Sequence, residues 1–193
     1  MLKSDKIIFL DRDGVINKDP GGWTRYGYVT KIKDFIFLPG VLKALRLANE
    51  SGYGVIVFSN QAGVGKGYYT KEKLKKITDM MCLEIKKKDG FINKVYYCMH
   101  KKESHCNCRK PSTGMFKKAE KEFGIKLRNE FFVGDNKSDI RAGKKMGMTT
   151  ILLLSGKSSA SDPEKWKTKP NYIFHNLLSA VKFIIDYQKN KRG

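Results

Sequence analysis

Along this chain, short segments of consecutive apolar residues alternate with longer segments in which apolar residues recur every three or four positions. The first pattern predicts buried strands, and the second predicts amphipathic helices. The predicted strands lie at residues 7–10, 54–58, 93–98, 130–133 and 149–154, and the predicted helices at residues 39–49, 70–85, 112–124, 137–146 and 176–188. This alternation predicts an α/β fold, a three-layer sandwich with a mainly parallel central sheet.

Two segments interrupt the alternation. Residues 18–33 are rich in glycine and aromatic residues. We expect them to form a flap over the carboxyl end of the first strand, where loops of open α/β sheets shape the substrate site. Residues 155–170 are rich in Ser, Lys and Pro, and we expect them to form a mobile connection before the last helix. A chain of 193 residues suits one compact domain, so we assign residues 1–193 to a single domain.

Hydropathy and cysteine usage indicate the compartment. No segment approaches the roughly 18 consecutive apolar residues that span a bilayer, and residues 1–6 lead into the first strand without the apolar region of a signal peptide. Three of the four cysteines lie within residues 98–108, which favours metal binding over disulfides. We therefore expect a cytoplasmic protein without a membrane partner, and a compact fold of this size favours a monomer.

The net charge of +20 changes this picture only in part. Clustered Lys and Arg side chains bind phosphate backbones, so the charge raises the hypothesis of a nucleic-acid partner. Of the 39 basic residues, however, seven are Arg and the others are Lys spread along the chain, and Arg makes most bidentate contacts to phosphate. The distribution favours a solvated basic surface, which would also attract a small anionic substrate.

Polar side chains follow three of the predicted strands. Asp11 and Asp13 come directly after the first strand, where two carboxylates indicate either metal-assisted chemistry or an ordinary turn. Ser59 follows the second strand, and its hydroxyl and the main-chain amides after it can hold a phosphate. Asp135 follows the fourth strand, and Asp139 comes one helical turn later as a further ligand, a capping residue or a solvated residue.

Four candidate metal ligands follow the third predicted strand: Cys98, His100, Cys106 and Cys108. Alternate residues of an extended segment project to the same side, so each Cys-x-His or Cys-x-Cys pair can present two ligands to one ion. Three thiolates and one imidazole that fill a tetrahedron predict a closed, structural Zn²⁺ site in a zinc loop over residues 98–108. His105 is an alternative to His100 as the fourth ligand.

Arg109 and Lys110 directly follow the last of these ligands. Two cations fixed next to a metal ligand can meet an anion at a set position, and preorganised charge stabilises developing negative charge without reorganisation. A phosphate is the natural anion. The alternative is a solvated basic pair before a helix that Pro111 begins, which is ordinary in a chain so rich in Lys.

Taken in order, these groups resemble those of the haloacid-dehalogenase (HAD) superfamily of phosphohydrolases. The resemblance covers residues 6 to about 154 and rests on Phe-Leu-Asp-Arg-Asp-Gly, Ser-Asn-Gln-x-Gly, Cys-x-His with Cys-x-Cys-Arg-Lys-Pro, and Gly-Asp-x-x-x-Asp. The chain is most similar to the branch that holds the D-glycero-D-manno-heptose 1,7-bisphosphate phosphatases and the histidinol-phosphate phosphatases. The resemblance implies a HAD-like Rossmannoid fold without a large cap domain, and a phosphomonoesterase that acts on a small sugar phosphate.

The resemblance also implies a role for each group. Asp11 would be the nucleophile that forms an aspartyl-phosphate, and Asp13 would be the general acid and base. A catalytic Mg²⁺ would be held by the Asp11 carboxylate, the Asp13 main-chain carbonyl and Asp135. The implied phosphate and substrate contacts are Ser59 and Lys110 on the transferring phosphoryl group, Arg109 on the rest of the substrate, and also Arg12, Tyr28, Asn60 and Gln61.

Within this branch the substrate stays open. The segments that resemble the heptose enzymes lie at residues 27–29, 34–41 and 63–67, and they make the heptose bisphosphate, cleaved at its 7-phosphate, the leading hypothesis. The short spacer between His100 and Cys106 instead resembles the histidinol-phosphate enzymes. Two departures also bear on the substrate: Asn136 stands where the heptose enzymes often carry Lys, and the insertion at residues 20–24 lengthens the flap that should contact the substrate. Two rival hypotheses are a nucleic-acid 3′-phosphatase and a non-enzymatic, zinc-organised basic binding module.

Overall fold

The computed structural model describes residues 6–159 and 161–190. Of residues 1–6, which the sequence places before the first strand, all but the last lie outside these ranges. Within them, six strands form one sheet: β1 Lys6–Leu10, β2 Tyr53–Asn60, β3 Lys94–Cys98, β4 Phe131–Gly134, β5 Thr149–Leu153 and β6 Tyr172–Phe174. The helices are α1 Val41–Glu50, α2 Ala62–Gly65, α3 Lys71–Lys86, α4 Gly114–Phe123, α5 Lys137–Lys145 and α6 Leu177–Asn190. Single 3₁₀ turns lie at Ile32–Asp34, Lys102–Ser104 and Pro163–Lys165.

The strands lie in the order β3-β2-β1-β4-β5-β6, and every neighbouring pair is parallel. The predicted α/β fold with a parallel sheet is therefore confirmed. β1 pairs with β2 on one side and with β4 on the other. Because the strand order reverses between β1 and β4, a crevice opens at their carboxyl ends, which is where open α/β sheets bind ligands.

β1 carries the core on both of its faces. Ile8 and Leu10 belong to a cluster with residues of α1, α3 and α6, whereas Ile7 and Phe9 belong to a cluster with residues of α4 and α5. A strand covered on both faces needs apolar residues at every position, and the continuous apolar run of β1 meets that need. Helices, sheet and helices thus form the predicted three layers. None of the helices in the two described ranges is long and apolar enough to cross a membrane.

The structure contains two short elements that the hydrophobic pattern does not predict. β6 has three residues at the edge of the sheet, too few for a periodicity to register, and α2 is a single turn in a glycine-rich segment. α4 begins at Gly114, two residues after the predicted start. Thr70 caps α3 as the sequence predicts, because its side-chain oxygen accepts the N–H of Lys73 at 3.2 Å.

Glu130, at the start of β4, is expected to make stability depend on pH. Burial raises its pKa from 4.5 to about 7, and the Ile7 N–H, which donates to Glu130 at 3.4 Å, only partly opposes this shift. Between these two pKa values the folded chain binds more protons than the unfolded chain, so ionisation of Glu130 lowers the free energy of unfolding as pH rises.

The variant Glu130→Gln stays neutral at every pH. Its melting temperature should match that of the unchanged chain near pH 4 and exceed it by a few degrees at pH 8, measured by thermal unfolding in matched buffers. A difference that stays constant across this range would show that Glu130 titrates normally.

Candidate active site

A cleft at the carboxyl ends of β1, β2 and β4 gathers most of the candidate site residues. Its volume is about 730 Å³, and its lining includes the acids Asp11, Asp13 and Asp135. β1 and β4 are neighbours, so their carboxyl ends lie side by side: the N–H of Asp11, directly after β1, donates to the carbonyl of Val133 in β4 at 2.9 Å. The flap contributes Tyr28 to the same lining.

Lys110 is a buried cation beneath this cleft. Its Nζ lies 3.0 Å from Asp11 Oδ1 and 2.7 Å from Asp139 Oδ1, and it donates to the Phe58 carbonyl at 2.7 Å. Burial raises the pKa of Asp11 to about 6. Lys110 opposes this shift, and the nearby carboxylates of Asp139 and Asp13 add to it. Burial is therefore the main cause of the raised pKa of Asp11, and Lys110 offsets only part of it.

Asp135 is confined by the residues around it. A side-chain carbon added at Gly14 or at Gly156 would overlap the Asp135 carboxylate, so both positions require glycine. The Lys157 N–H, in the loop after β5, donates to Asp135 Oδ2 at 2.8 Å. Burial raises the pKa of Asp135, and the neighbouring carboxylates add to this shift. A positive ion beside it would relieve both effects.

Asp139 belongs to a capping box at the start of α5. Asn136 Oδ1 accepts the Ser138 N–H at 2.8 Å, and Asp139 Oδ2 accepts the Asn136 N–H at 3.2 Å. Of the alternatives for Asp139, capping is correct and solvation is wrong, because the residue is fully buried. Asp11, Asp135 and Asp139 each offer an oxygen within 4.8 Å of the others, an arrangement that suits a hard cation.

The carboxylate of Asp13 is held by three side chains. Arg12 Nη2 lies 2.9 Å from Oδ1 and 3.1 Å from Oδ2, Asn17 donates to Oδ1 at 2.9 Å, and Gln61 donates to Oδ2 at 2.7 Å. Burial alone would raise the pKa of Asp13, but Arg12 and these hydrogen bonds bring it below its ordinary value. Asp13 is therefore ionised in this arrangement.

Three residues expected to contact phosphate or substrate do not line the cleft: Lys110, which lies beneath it, Arg12 and Gln61. Arg12 is fully buried, because it pairs with Asp13 and lies 6.0 Å and 5.8 Å from the ring centroids of Phe35 and Tyr97. Gln61 is also fully buried. The side chains of Arg12 and Gln61 contact Asp13 from beneath instead of facing the cleft.

The other four expected substrate residues line the cleft: Tyr28, Ser59, Asn60 and Arg109. Asn60 also holds the main chain of the expected phosphate ligand Lys110. Its Nδ2 donates to the Lys110 carbonyl at 3.2 Å, and its Oδ1 accepts the Lys110 N–H at 3.0 Å. The end of β2 is thereby fastened to the residues that follow the cysteine cluster.

Besides Lys157, whose N–H holds Asp135, sequence reasoning misses two residues that support the site, Asn17 and Tyr69. Asn17 returns to Asp13 through a tight turn, in which the Gly14 N–H donates to the Asn17 carbonyl at 2.7 Å. The turn at Gly14 is the signal that could find it. Tyr69 donates to Gln61 at 2.6 Å, and no pattern in the sequence marks its hydroxyl.

Cys98, His100, Cys106 and Cys108 form one cluster at the carboxyl end of β3. The sulfur of Cys108 lies 3.2 Å from that of Cys98, 3.4 Å from that of Cys106 and 3.1 Å from His100 Nδ1. Ligands that bind one ion tetrahedrally at about 2.3 Å lie within about 3.8 Å of one another, so this cluster fits such an ion. His105 does not join the cluster, so His100 is the imidazole that the structure places with the thiols.

The flap is fixed by aromatic contacts to the segment before α3. Tyr26 stacks on Tyr68 with ring centroids 4.5 Å apart, and the Tyr28 ring lies 5.9 Å from Tyr68 and 6.4 Å from Tyr69. Lys66 lies 5.8 Å from the ring centroids of Tyr28 and Tyr68. The flap is therefore packed against the cleft wall.

Three similarities to known proteins bear on this site. A HAD-hydrolase-like family model matches residues 107–180. The D-glycero-alpha-D-manno-heptose-1,7-bisphosphate 7-phosphatase of Campylobacter jejuni is 39% identical over 186 residues, 96% of this chain and 97% of that protein. The D-glycero-beta-D-manno-heptose-1,7-bisphosphate 7-phosphatase of Haemophilus ducreyi is 33% identical over 187 residues, 93% of this chain and 98% of that protein.

Among solved structures, the D,D-heptose 1,7-bisphosphate phosphatase from B. bronchiseptica, complexed with magnesium and phosphate, superimposes with a TM-score of 0.85. Its sequence is 25% identical, and the match covers 94% of this chain and 99% of that chain. The similarities to the two curated proteins and to this structure thus extend over nearly the whole chain.

Proposed function

The chain belongs to the HAD-like phosphatases, as a relative of the heptose 1,7-bisphosphate 7-phosphatases, and on this premise we propose that it hydrolyses the 7-phosphate of a D-glycero-D-manno-heptose 1,7-bisphosphate. The family and the class of enzyme, a phosphomonoesterase, agree with the prediction from the sequence. The observation that carries the proposal is the meeting of Asp11 and Asp135 at the ends of two neighbouring parallel strands, with Lys110 against Asp11.

In the proposed reaction, a carboxylate oxygen of Asp11 attacks phosphorus in line and forms an aspartyl-phosphate, while the substrate alkoxide leaves with a proton from Asp13. Asp13 then takes a proton from the water that attacks phosphorus, the bond between Asp11 and phosphorus breaks, and inorganic phosphate leaves. The ionised Asp13 of the substrate-free cleft suits this second step. A phosphate that enters beside Asp13 raises the pKa of its carboxyl group, which favours the protonated form that the first step needs.

Lys110 and Ser59 are the proposed ligands of the transferring phosphoryl group. Lys110 already contacts Asp11, so a phosphate oxygen bound to this ammonium group lies next to the nucleophile. Ser59 lies at the end of β2, on the lining of the same cleft. Asn60 holds the Lys110 main chain, which keeps the cation at a fixed place when the substrate arrives.

The acidic end of the cleft suits Mg²⁺. Its carboxylates are buried, and burial raises the pKa values of Asp11 and Asp135, so a cation beside them would stabilise their ionised forms. The Asp11 carboxylate, the Asp13 main-chain carbonyl and the Asp135 carboxylate would hold the ion, which would shield the nucleophile from the negative charge of the substrate. Asp139 suits this role less well, because Lys110 and the start of α5 engage its oxygens.

The cysteine cluster suits Zn²⁺. Its four ligands would leave no open coordination position, so the ion would be structural and not catalytic. The loop over residues 98–108 ends directly before Arg109 and Lys110. A bound ion would therefore hold these two cations against the cleft.

Arg109 supports a substrate with a second anionic group. Its Nη1 is buried and makes no hydrogen bond to any described residue, although the side chain lines the cleft. The second phosphate of a bisphosphate would satisfy this donor. The two curated relatives are named for different anomers, and the proposal holds for either. The product would supply a heptose for nucleotide activation and for a surface glycan such as lipopolysaccharide.

We also propose a single-domain monomer that works in the cytoplasm, with the flap at residues 18–33 and the zinc loop at residues 98–108 as its functional insertions. The thiols of the cluster are free, and metal-binding thiolates persist in a reducing compartment. The chemistry proposed for the cleft needs no nucleic acid.

The substrate is tested by a phosphate-release screen. With Mg²⁺, the purified protein should show a kcat/KM for heptose 1,7-bisphosphate that exceeds that for histidinol phosphate by at least about tenfold, because Arg109 gains a partner only with the first. A preference for histidinol phosphate would contradict the proposed substrate. Activity on 3′-phosphorylated DNA that falls steeply with salt would support the nucleic-acid alternative.

The nucleophile is tested by Asp11→Asn. An amide cannot form the aspartyl-phosphate, so kcat should fall by at least about a thousandfold, while the fold, followed by circular dichroism, and the zinc content stay unchanged. Asp79→Asn, an exposed acid on α3 that pairs with Lys75, is the matched control and should keep full activity. Turnover by the Asp11 variant would refute the assignment.

The cysteine cluster is tested by Cys108→Ser, measured by metal analysis and kinetics. Bound zinc should fall from one ion per chain towards none, and kcat/KM should fall by about ten- to a hundredfold, because Arg109 and Lys110 lose their anchor. Cys82→Ser is the control, since Cys82 lies outside the cluster. Equal zinc content in the two variants would show that Cys108 is not a ligand.

A further inference from the structure

A buried amide beneath the cleft contacts two groups of the proposed site at once. Gln61 is fully buried, and its Nε2 lies 2.7 Å from Asp13 Oδ2 and 3.0 Å from Ser59 Oγ. On the other side, its Oε1 lies 2.6 Å from the hydroxyl of Tyr69. The reaction described above assigns no role to Gln61 or to Tyr69.

The direction of these hydrogen bonds follows from the chemistry of the partners. The Asp13 carboxylate accepts hydrogen bonds, so the NH₂ group of Gln61 must face it and the amide oxygen must face Tyr69. Tyr69 then has to donate its hydroxyl hydrogen. Burial raises the pKa of the Tyr69 hydroxyl, so the group keeps this hydrogen. Tyr69 thereby selects the amide orientation that Asp13 requires.

The same amide sets the direction of the Ser59 hydroxyl. Because Gln61 donates to Ser59 Oγ, the hydroxyl hydrogen of Ser59 is left to donate elsewhere. Ser59 lines the cleft, where a phosphoryl oxygen would accept that hydrogen. One orientation of Gln61 therefore suits both the acid and the phosphate ligand.

Packing holds the Tyr69 ring in place. The residue is almost fully buried, and a side-chain carbon at Gly63 would overlap its ring. Tyr69 directly precedes Thr70, the cap of α3, and the Tyr28 ring of the flap lies 6.4 Å away. The hydroxyl therefore points at Gln61 from a fixed support.

We propose that Tyr69 is a positioning residue for the leaving-group step, because its hydroxyl fixes the Gln61 amide and, through it, the carboxylate of Asp13. This inference rests on the proposed function, in which Asp13 protonates the departing alkoxide. Loss of the hydroxyl would leave Gln61 Oε1 buried without a donor, and the amide would no longer have one preferred orientation. Asp13 would then be held less well where the leaving oxygen needs its proton.

The nature of the leaving group separates this role from a merely structural one. A sugar alkoxide is a poor leaving group and needs protonation, whereas 4-nitrophenolate leaves without it. The ratio kcat/KM reports the steps up to departure of the leaving group, so hydrolysis of the phosphoenzyme does not enter the comparison. A defect in positioning of Asp13 should therefore reduce kcat/KM for the first substrate and not for the second.

The test compares Tyr69→Phe with Tyr68→Phe on heptose 1,7-bisphosphate and on 4-nitrophenyl phosphate, both with Mg²⁺. Tyr68 is an exposed neighbour that stacks on Tyr26, so its variant is the matched control. Any loss of the Ser59 orientation would affect both substrates alike, so Tyr69→Phe should lower kcat/KM about tenfold more for the heptose bisphosphate than for the aryl ester. Tyr68→Phe should change neither value. Asp13→Asn calibrates the assay and should show a larger difference in the same direction.

The outcomes are distinguishable. If Tyr69→Phe lowers both values equally, or matches Tyr68→Phe on both substrates, the positioning role is overturned while the proposed function stands. If the unchanged protein releases phosphate from neither substrate, the proposed function fails and the inference fails with it. If Tyr69→Phe does not fold, Gln61→Leu decides by the same comparison, because it removes the hydrogen bonds of the amide to Asp13, Ser59 and Tyr69 together.

Discussion

A single buried ammonium group joins the parts of the chain that the chemistry requires. Lys110 Nζ contacts Asp11 after β1, Asp139 in α5 and the Phe58 carbonyl in β2, and Lys110 itself follows the cysteine cluster. A buried cation without anions around it would cost several kcal/mol, and the buried carboxylates would incur a similar cost without Lys110. These segments are therefore stable only when they pack together, which places the nucleophile, the start of α5 and the metal-binding loop in one arrangement.

The same arrangement removes carboxylates of the cleft from water. Among the described residues, Arg12 and Lys110 are the buried cations, and Arg12 forms an ion pair with Asp13. Burial raises the pKa values of Asp11 and Asp135, and a divalent cation beside these carboxylates would lower them. Stability and function therefore conflict at these residues. The carboxylates that destabilise the ligand-free cleft are the ones that would hold a metal ion and attack a phosphate.

The sequence predicts which groups meet more reliably than it predicts where each side chain points. The carboxyl ends of parallel strands share one edge of a sheet, so Asp11 and Asp135 are expected together as soon as β1 and β4 are recognised as strands. Arg12 stands next to Asp11 in the chain but lies beneath the cleft, and the hydroxyl of Tyr69 reaches Gln61 only through tertiary packing. Short elements such as β6 escape prediction because three residues carry no period.

The central claim is that Asp11 captures the phosphoryl group, and the most direct measurement is to trap it there. The enzyme is mixed with excess substrate and Mg²⁺, quenched in acid within one turnover, reduced with borohydride and mapped by peptide mass spectrometry. The account predicts homoserine at position 11 and aspartate at position 13. Reduction at another residue, or rapid phosphate release with no trapped phosphoenzyme at any quench time, would contradict it.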